Sequence, residues 1–427
     1  MYRRELITTA GLSSLALAGC LSRRPSQSLG DIDCTPETTD GSGSEAPQPK
    51  SVSGSWHSFQ YDLGNTGFNP DADGPSDCPD LLWRFRVDPE EPATEVNYSI
   101  LTGPIVHDGV VYTRDNKGKL YALNATSGSV EWTFDIPRWN IYGPTYDDDT
   151  LYVTADQYLV AIDSESRRER WTLTPSVLGP HPMGDDRDWM YAEVAARDGR
   201  VFVGTADNTF CAIDTTTRTP LWQVDLPQLA SSLIEESSDV DIQGQPVIHD
   251  DIVAVALSAG YLLLLDVDTG DVVWTHGISG YIVAAPSIRD ETVYIVGSDG
   301  IQALSLTDGS VKWTYGSDDH VSCSPAITDD VVVGVAGSSF GNRMLVGIDT
   351  RTGARRWEVP AATDLSAAPS IAGGTVVMGL TNGLLAVDLA TGDQRWQAQT
   401  NNISGSPALV DDVVIAGDRD GYVYAFR

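Results

Sequence analysis

The chain has 427 residues and a formal charge of −33, from 60 acidic against 27 basic residues, of which only Lys50, Lys117, Lys119 and Lys312 are lysines. That balance argues against nucleic acid and anionic lipid headgroups as partners. It reads as the surface of a halophilic protein, kept soluble where concentrated salt screens self-repulsion. With 41% hydrophobic residues, 40 glycines and 11 tryptophans, the composition is globular and favours turns and aromatic packing over helix.

The first 19 residues, MYRRELITTAGLSSLALAG, place Arg3 and Arg4 ahead of an apolar run too short to span a bilayer as a mature helix. This reads as an export signal of twin-arginine type. The run ends in Leu17-Ala18-Gly19-Cys20, which resembles a lipobox: cleavage before Cys20 and a lipid on its sulfur would hold the mature protein on the outer face of the cytoplasmic membrane. A plain signal followed by a chance cysteine is the alternative. Residues 20–53, rich in Ser, Pro, Thr, Gly and acids, bury too little apolar surface to fold and read as a flexible stalk. In an exported chain Cys34 and Cys78 are candidates for a disulfide whose geometry the sequence leaves open. Cys211 and Cys323 lie in apolar strand-like contexts and read as buried thiols. No CxxC or Cys/His cluster supports zinc or thioredoxin-like chemistry.

From residue 54 to 427 the chain repeats itself. LYALNATSGSVEW (120–132) recurs as LVAIDSESRRERW (159–171), FCAIDTTTRTPLW (210–222), LLLLDVDTGDVVW (262–274), IQALSLTDGSVKW (301–313), LVGIDTRTGARRW (345–357) and LLAVDLATGDQRW (384–396). Upstream of each copy, apolar alternation and an Asp-rich turn predict two further strands, so each unit reads as a four-stranded antiparallel meander. The terminal tryptophans, Trp132, Trp171, Trp222, Trp274, Trp313, Trp357 and Trp396, are 39 to 52 residues apart, which is the period of a propeller blade. The last unit stops at Arg427 with no tryptophan strand, and LLWRFRV (81–87) with Trp83 supplies the missing strand from the front. The fold class expected is therefore all-β, an eight-bladed β-propeller closed without a free edge. Each tryptophan is expected to wedge between adjacent sheets with its indole N–H on a backbone carbonyl.

With the repeat written A-[LIV]-D-x-x-[ST]-G-x-x-x-W, the chain resembles the pyrroloquinoline-quinone (PQQ)-like repeat family over residues 56 to 427. WHSFQYDLGNTGFNP (56–70) is similar to the segment before the first blade in exported, non-enzymatic members of the BamB-like branch. The resemblance implies either a scaffold lipoprotein of that branch or a quinoprotein dehydrogenase. The dehydrogenases carry an adjacent cysteine pair, a calcium site and an aspartate base, and this chain has no Cys-Cys dipeptide. No PQQ-site residue carries over by motif, so neither catalytic nor cofactor residues, nor PQQ or Ca²⁺, are expected.

Other motifs carry less. DVDTGDVVWTH (266–276) first looks like a calcium loop, but its aspartates fall at turn positions of the repeat and lack the glycine and glutamate spacing of such a loop. Asp71-Ala72-Asp73-Gly74 has its glycine too early for the same frame. Gly337-Ser338-Ser339-Phe340-Gly341 matches G-x-S-x-G but falls between strands rather than on a strand-to-helix elbow. His57, His107, His181, His249, His276 and His320 are scattered without metal-ligand spacing and read as surface residues. Asn97, Asn124 and Asn402 head sequons and are candidate glycan acceptors. The long connections at residues 175 to 193 and 226 to 245 are candidate partner-binding loops, with Trp189, Met190 and Tyr191 as exposed anchors in the first. The function expected is a monomeric, lipid-anchored propeller that binds a protein partner or ligand at the cell surface. A PQQ-type dehydrogenase with a degenerate site and an extracellular carbohydrate- or polymer-binding module are the alternatives.

Overall fold

Each repeat folds as its alternation and turn residues predict. In the first, the short strand Ile105–His107 leads through a tight hairpin to Val110–Arg114, then to Lys119–Asn124 and Val130–Asp135. The hairpin aspartates Asp108, Asp198, Asp250 and Asp290 sit at φ 46°, 54°, 47° and 49°, the left-handed region that a two-residue turn between twisted strands requires and that Asp tolerates. Part of the acid excess is thus turn chemistry.

The computed structural model describes residues 33–34, 50–87, 102–136, 142–155, 158–174, 193–205, 208–231, 240–278, 280–298, 300–316, 323–338, 341–360 and 367–427. Seven sheets follow one another at residues 105–135, 145–173, 195–225, 247–277, 287–316, 326–360 and 370–399. The eighth joins the strands of 408–426 to Leu81–Arg86. Its seam is closed by Asp80 and Arg427, whose amides donate to each other's carbonyls at 2.7 and 2.9 Å. The molecule is an eight-bladed β-propeller with the composite blade the repeat count predicts. The short first strand of each blade lies innermost, where neighbouring blades meet around the axis.

The 20–53 stretch read as stalk reaches the ring earlier than expected. Asp33–Cys34 pairs in parallel with the outer strand of blade seven, Asp33 opposite Gln397, and Val52 is buried with its amide on Thr126 Oγ1 at 3.0 Å. Unpaired ladder groups on an outer edge recruit extended chain whatever its composition.

The tryptophans behave as wedges. Ala122, Ala161, Ala212, Ala303, Ala386 and Ala425 lie opposite Trp132, Trp171, Trp222, Trp313, Trp396 and Trp83, and Gly347 lies opposite Trp357. Blade four puts Leu264 opposite Trp274, the one motif tryptophan left half-exposed. Five of the indoles reach into the next blade's turn: Trp83 Nε1 donates to Ala125 O at 2.8 Å, Trp222 to Val267 at 3.0 Å, Trp274 to Leu306 at 2.9 Å, Trp313 to Thr350 at 2.6 Å and Trp357 to Leu389 at 2.8 Å. Trp396 faces the composite blade, which lacks that turn, and bonds Pro75 O at 2.9 Å instead.

The motif glycine has a second duty besides its turn. Gly270 is at φ +74°, and a Cβ there would lie 2.7 Å from the Trp222 ring of the preceding blade. In blades two and three the same position is Arg167 and Arg218, at φ 62° and 61°. Trp132 and Trp171, which face them, are as buried as Trp222 but have no indole hydrogen bond among the described residues.

Candidate functional site

The segment singled out at residues 56–70 becomes a washer inside the ring. It meets the inner strands in blade order: Val106 N–H donates to Trp56 O, Tyr146 to His57, Ile248 to Leu63, Ile288 to Gly64, Ile327 to Thr66 and Ile371 to Gly67, at 2.7 to 3.0 Å. Phe68–Asn69 then pairs in parallel with Ile371 and Ala372, Asn69 Nδ2 donates to Leu409 O at 2.8 Å, and Gly74 N–H reaches Asp411 O at 3.0 Å in blade eight. Close approach requires small residues. A Cβ on Gly64 would meet Ile288 O at 2.6 Å, and Gly67, at φ +60°, faces Pro369 O at 3.1 Å. Trp56, Gln60, Asn65, Thr66 and Asn69 are buried, so the chain itself fills most of this end of the axis.

The other end is a funnel of about 360 Å³ whose walls come from all eight blades and whose floor is Phe59 of the washer. Small residues next to the repeat prolines, among them Gly103, Ala285, Ser324, Ala368 and Ser406, line its neck. One carboxylate enters it, Glu193 at the mouth of blade three. Burial pushes that carboxyl up to about 7 against the pull of Arg114 and the Gly143 amide. Arg114 is buried in the wall, and burial lowers it to about 10. Arg114 Nε and Thr102 Oγ1 have no hydrogen-bond partner among the described residues. The funnel can therefore exchange a proton at Glu193 near neutrality and offers unfilled donors beside it.

The expected residues separate into two groups. The eight tryptophans form the inter-blade wedges described above. The repeat aspartates cap turns: Asp266 Oδ1 accepts from Asp268 N at 3.0 Å and Thr269 N at 2.9 Å, and these bonds hold its carboxyl below the usual range against burial. Asn124 is the same cap, accepting from Thr126 N and Ser127 N at 3.1 Å, while its Nδ2, the atom a glycan would take, donates to Glu131 at 3.1 Å. Asn402 is half-buried. Ser338 and Gly341 pair across two adjacent strands, and residues 339–340 lie outside the described residues. Cys211 is a buried thiol outside any disulfide, donating to Val203 O at 3.5 Å; Cys323 is also outside any disulfide and only half-buried, its thiol pushed up to about 12 by burial. Cys78 is disulfide-bonded. Arg3, Arg4, Cys20, Asn97, Trp189, Met190 and Tyr191 lie outside the described residues. The connection from 226 opens with a short helix, Leu226–Ser231.

Two of the histidines, expected as scattered surface residues, meet at the surface, while His181 and His320 lie outside the described residues. His57 Nε2 lies 2.9 Å from His107 Nδ1, and His107 stacks on Tyr146 at 3.8 Å between centroids. The signal lay in the repeat: His107, Asp147, Arg197, His249 and Arg289 are all the third residue of an inner strand. Blades seven and eight put Ala372 and Val410 there.

Comparison with known proteins accords with this architecture. The family described as outer membrane protein assembly factor BamB matches residues 79–187, 185–278 and 228–427. The assembly factor of that name from Yersinia pestis is 26% identical over 230 residues, covering 51% of this chain and 56% of the relative's own length. The structure of BamB from Moraxella catarrhalis superposes with a TM-score of 0.63 at 17% identity, covering 82% of this chain and 99% of that one. A quinohemoprotein alcohol dehydrogenase from Pseudomonas putida gives 0.71 at 14% identity, covering 88% and 80%.

Proposed function

Because the chain belongs to the outer membrane protein assembly factor BamB family, we propose that it is an exported scaffold, held by a lipid on Cys20, which docks a protein partner on its funnel face. One observation carries this reading: the residues leading into the inner strands of all eight blades line one funnel, while residues 54–74 fill most of the opposite end of the axis. A rigid ring presenting many connections on one side is suited to holding another chain in place. Trp189, Met190 and Tyr191, in one of these connections, are the anchors we assign. Affinity purification from membranes in native salt tests it: the wild type should retain a stoichiometric protein that the triple alanine variant loses. Capture of the same proteins by both variants would refute the assignment.

A second reading, a quinone-dependent dehydrogenase, draws on the shared fold and on the proton-exchanging acid in the funnel. The donor set fits it poorly. PQQ carries three carboxylates, whereas the funnel wall supplies glycines, alanines and a further carboxylate, and Arg114 is buried behind them. Equilibration with PQQ and Ca²⁺ decides the matter, since a stoichiometric quinone absorbance with alcohol-dependent dye reduction would displace the scaffold reading.

A further inference from the structure

The washer leaves one blade uncovered. Between His57 and Leu63 it turns away, with Gln60 and Tyr61 at φ 55° and 78° and Tyr61 N–H on Ser58 O at 3.2 Å. Blade three lies beneath this turn. Ala196 pairs with Val201 in the register by which Val106 pairs with Val111 and Ile248 with Val253. Its amide therefore points at the axis like theirs, yet Ala196 is buried and that amide has no hydrogen-bond partner among the described residues. A buried, inward-facing donor without an acceptor costs free energy unless something else satisfies it.

The gap is a cavity of about 530 Å³ between the washer and the inner-strand ends of blades two to five. Tyr61, Tyr146 and His57 give it aromatic walls, and Asp147 brings a carboxylate to it from the blade next to Ala196, whereas Asp62 already accepts from Thr66 N and Oγ1 at 2.9 and 2.7 Å and Asp290 is an exposed turn residue of blade five. The nearby cations are already engaged. Arg289 Nε donates to Asp329 at 2.8 Å and its guanidinium lies 5.2 Å from the Phe68 ring centroid. Arg197 bonds Asp250 O at 2.6 Å and lies 3.3 Å from Asp198. His57 and His107, hydrogen-bonded to each other, cannot both be cations, and burial lowers both. Burial together with Asp148 and Asp198 pushes Asp147 up to about 6. The site is short of positive charge.

We propose that this cavity binds a small organic ammonium ion bearing a hydroxyl, its cationic head at Asp147 beside the Tyr146 and His57 rings and its oxygen on the amide of Ala196 in the next blade. Three features favour this class over a metal. The space far exceeds a bare ion, aromatic walls attract alkylammonium heads, and no group of three metal-ligating side chains forms among the described residues. A recessed pair is also screened less by salt than a surface one, so recognition survives in molar KCl.

The test is calorimetric titration of the full chain with choline chloride at constant ionic strength in molar KCl, alongside 3,3-dimethylbutan-1-ol, its uncharged isostere. Choline should bind saturably, the isostere should not, and Asp147→Asn should weaken choline at least tenfold. Tyr146→Leu, which removes the aromatic wall next to Asp147, should do the same and serves if the first variant melts early. Equal binding of choline and isostere, no saturable choline binding, or unchanged affinity in both variants would overturn the proposal.

Discussion

The glycine of the repeat turn offers the sharpest test of how the blades are joined. Gly270→Ala forces a non-glycine residue to φ +74° and places a Cβ 2.7 Å from Trp222, which must move off the Val267 carbonyl it bonds at 3.0 Å. The left-handed backbone costs about 1 kcal/mol, the lost hydrogen bond about 1, and the displaced ring about 1 to 2. Reduced freedom of the unfolded chain returns about half a kcal/mol. The sum, about 3 kcal/mol, spread over an unfolding entropy of roughly 2.1 cal/mol/K per residue for about 370 residues, lowers Tm by about 4 °C. Arg218→Gly is the converse. It frees a slot for the Trp171 indole, which has no such bond, and should stabilise by about 1 kcal/mol. Thermal melting in molar KCl, followed by tryptophan emission, measures both. A Gly270→Ala variant melting within 1 °C of wild type would refute the wedge argument.

Glu193 stands above its ordinary value, so between about pH 4.5 and 7 the folded chain keeps a proton that the unfolded chain has released, and stability falls as pH rises through that window. Glu193→Gln should therefore gain on the wild type from pH 4.5 to 7, by about 3 kcal/mol at most, and hold level above it; a pH-independent difference in urea midpoint would count against this. Cys78 is disulfide-bonded while Cys211 and Cys323 are in no disulfide, and Cys34 has its backbone on blade seven; non-reducing peptide mapping should find Cys34 linked to Cys78. The loop of ~45 residues so closed is worth about 4 kcal/mol in the chain-entropy estimate, and a freely alkylated Cys34 would exclude the bond. Removing salt should unfold the ring as the chain's charge of −33 loses screening, and equal melting in 0.1 and 3 M KCl would contradict that. Cys20→Ser should release the protein from membranes, and unchanged fractionation would rule out the anchor.

What the sequence revealed follows from where information is carried. The composite blade was legible because a missing tryptophan strand at one end and LLWRFRV at the other are side-chain patterns. The wedge hydrogen bonds followed from the same tryptophans, but the loss of two of them did not, because it goes with Arg167 and Arg218 standing at a left-handed turn position, φ 62° and 61°, that other repeats give to glycine. The washer was hidden because it bonds through backbone carbonyls, which leave no residue signature beyond Gly64 and Gly67. Glu193 and Arg114 lie 79 positions apart, and their coupling depends on a burial that spacing does not encode. The polar ring at the inner-strand ends was readable by aligning the third residues of those strands, whereas His57, coming from the washer, belongs to no repeat.

Residues 56 to 67 also act as a ruler. Repeat arrays commonly gain or lose units, because each unit contacts only its neighbours. Here a stretch of chain that is not itself a repeat touches blades one, two, four, five, six and seven in turn. Inserting or deleting a blade would put every later carbonyl out of phase with its amide, so this lineage can change blade number only by rewriting a second segment at the same time. The number eight is thus recorded twice in the chain, once in the repeats and once in the length of the thread that counts them.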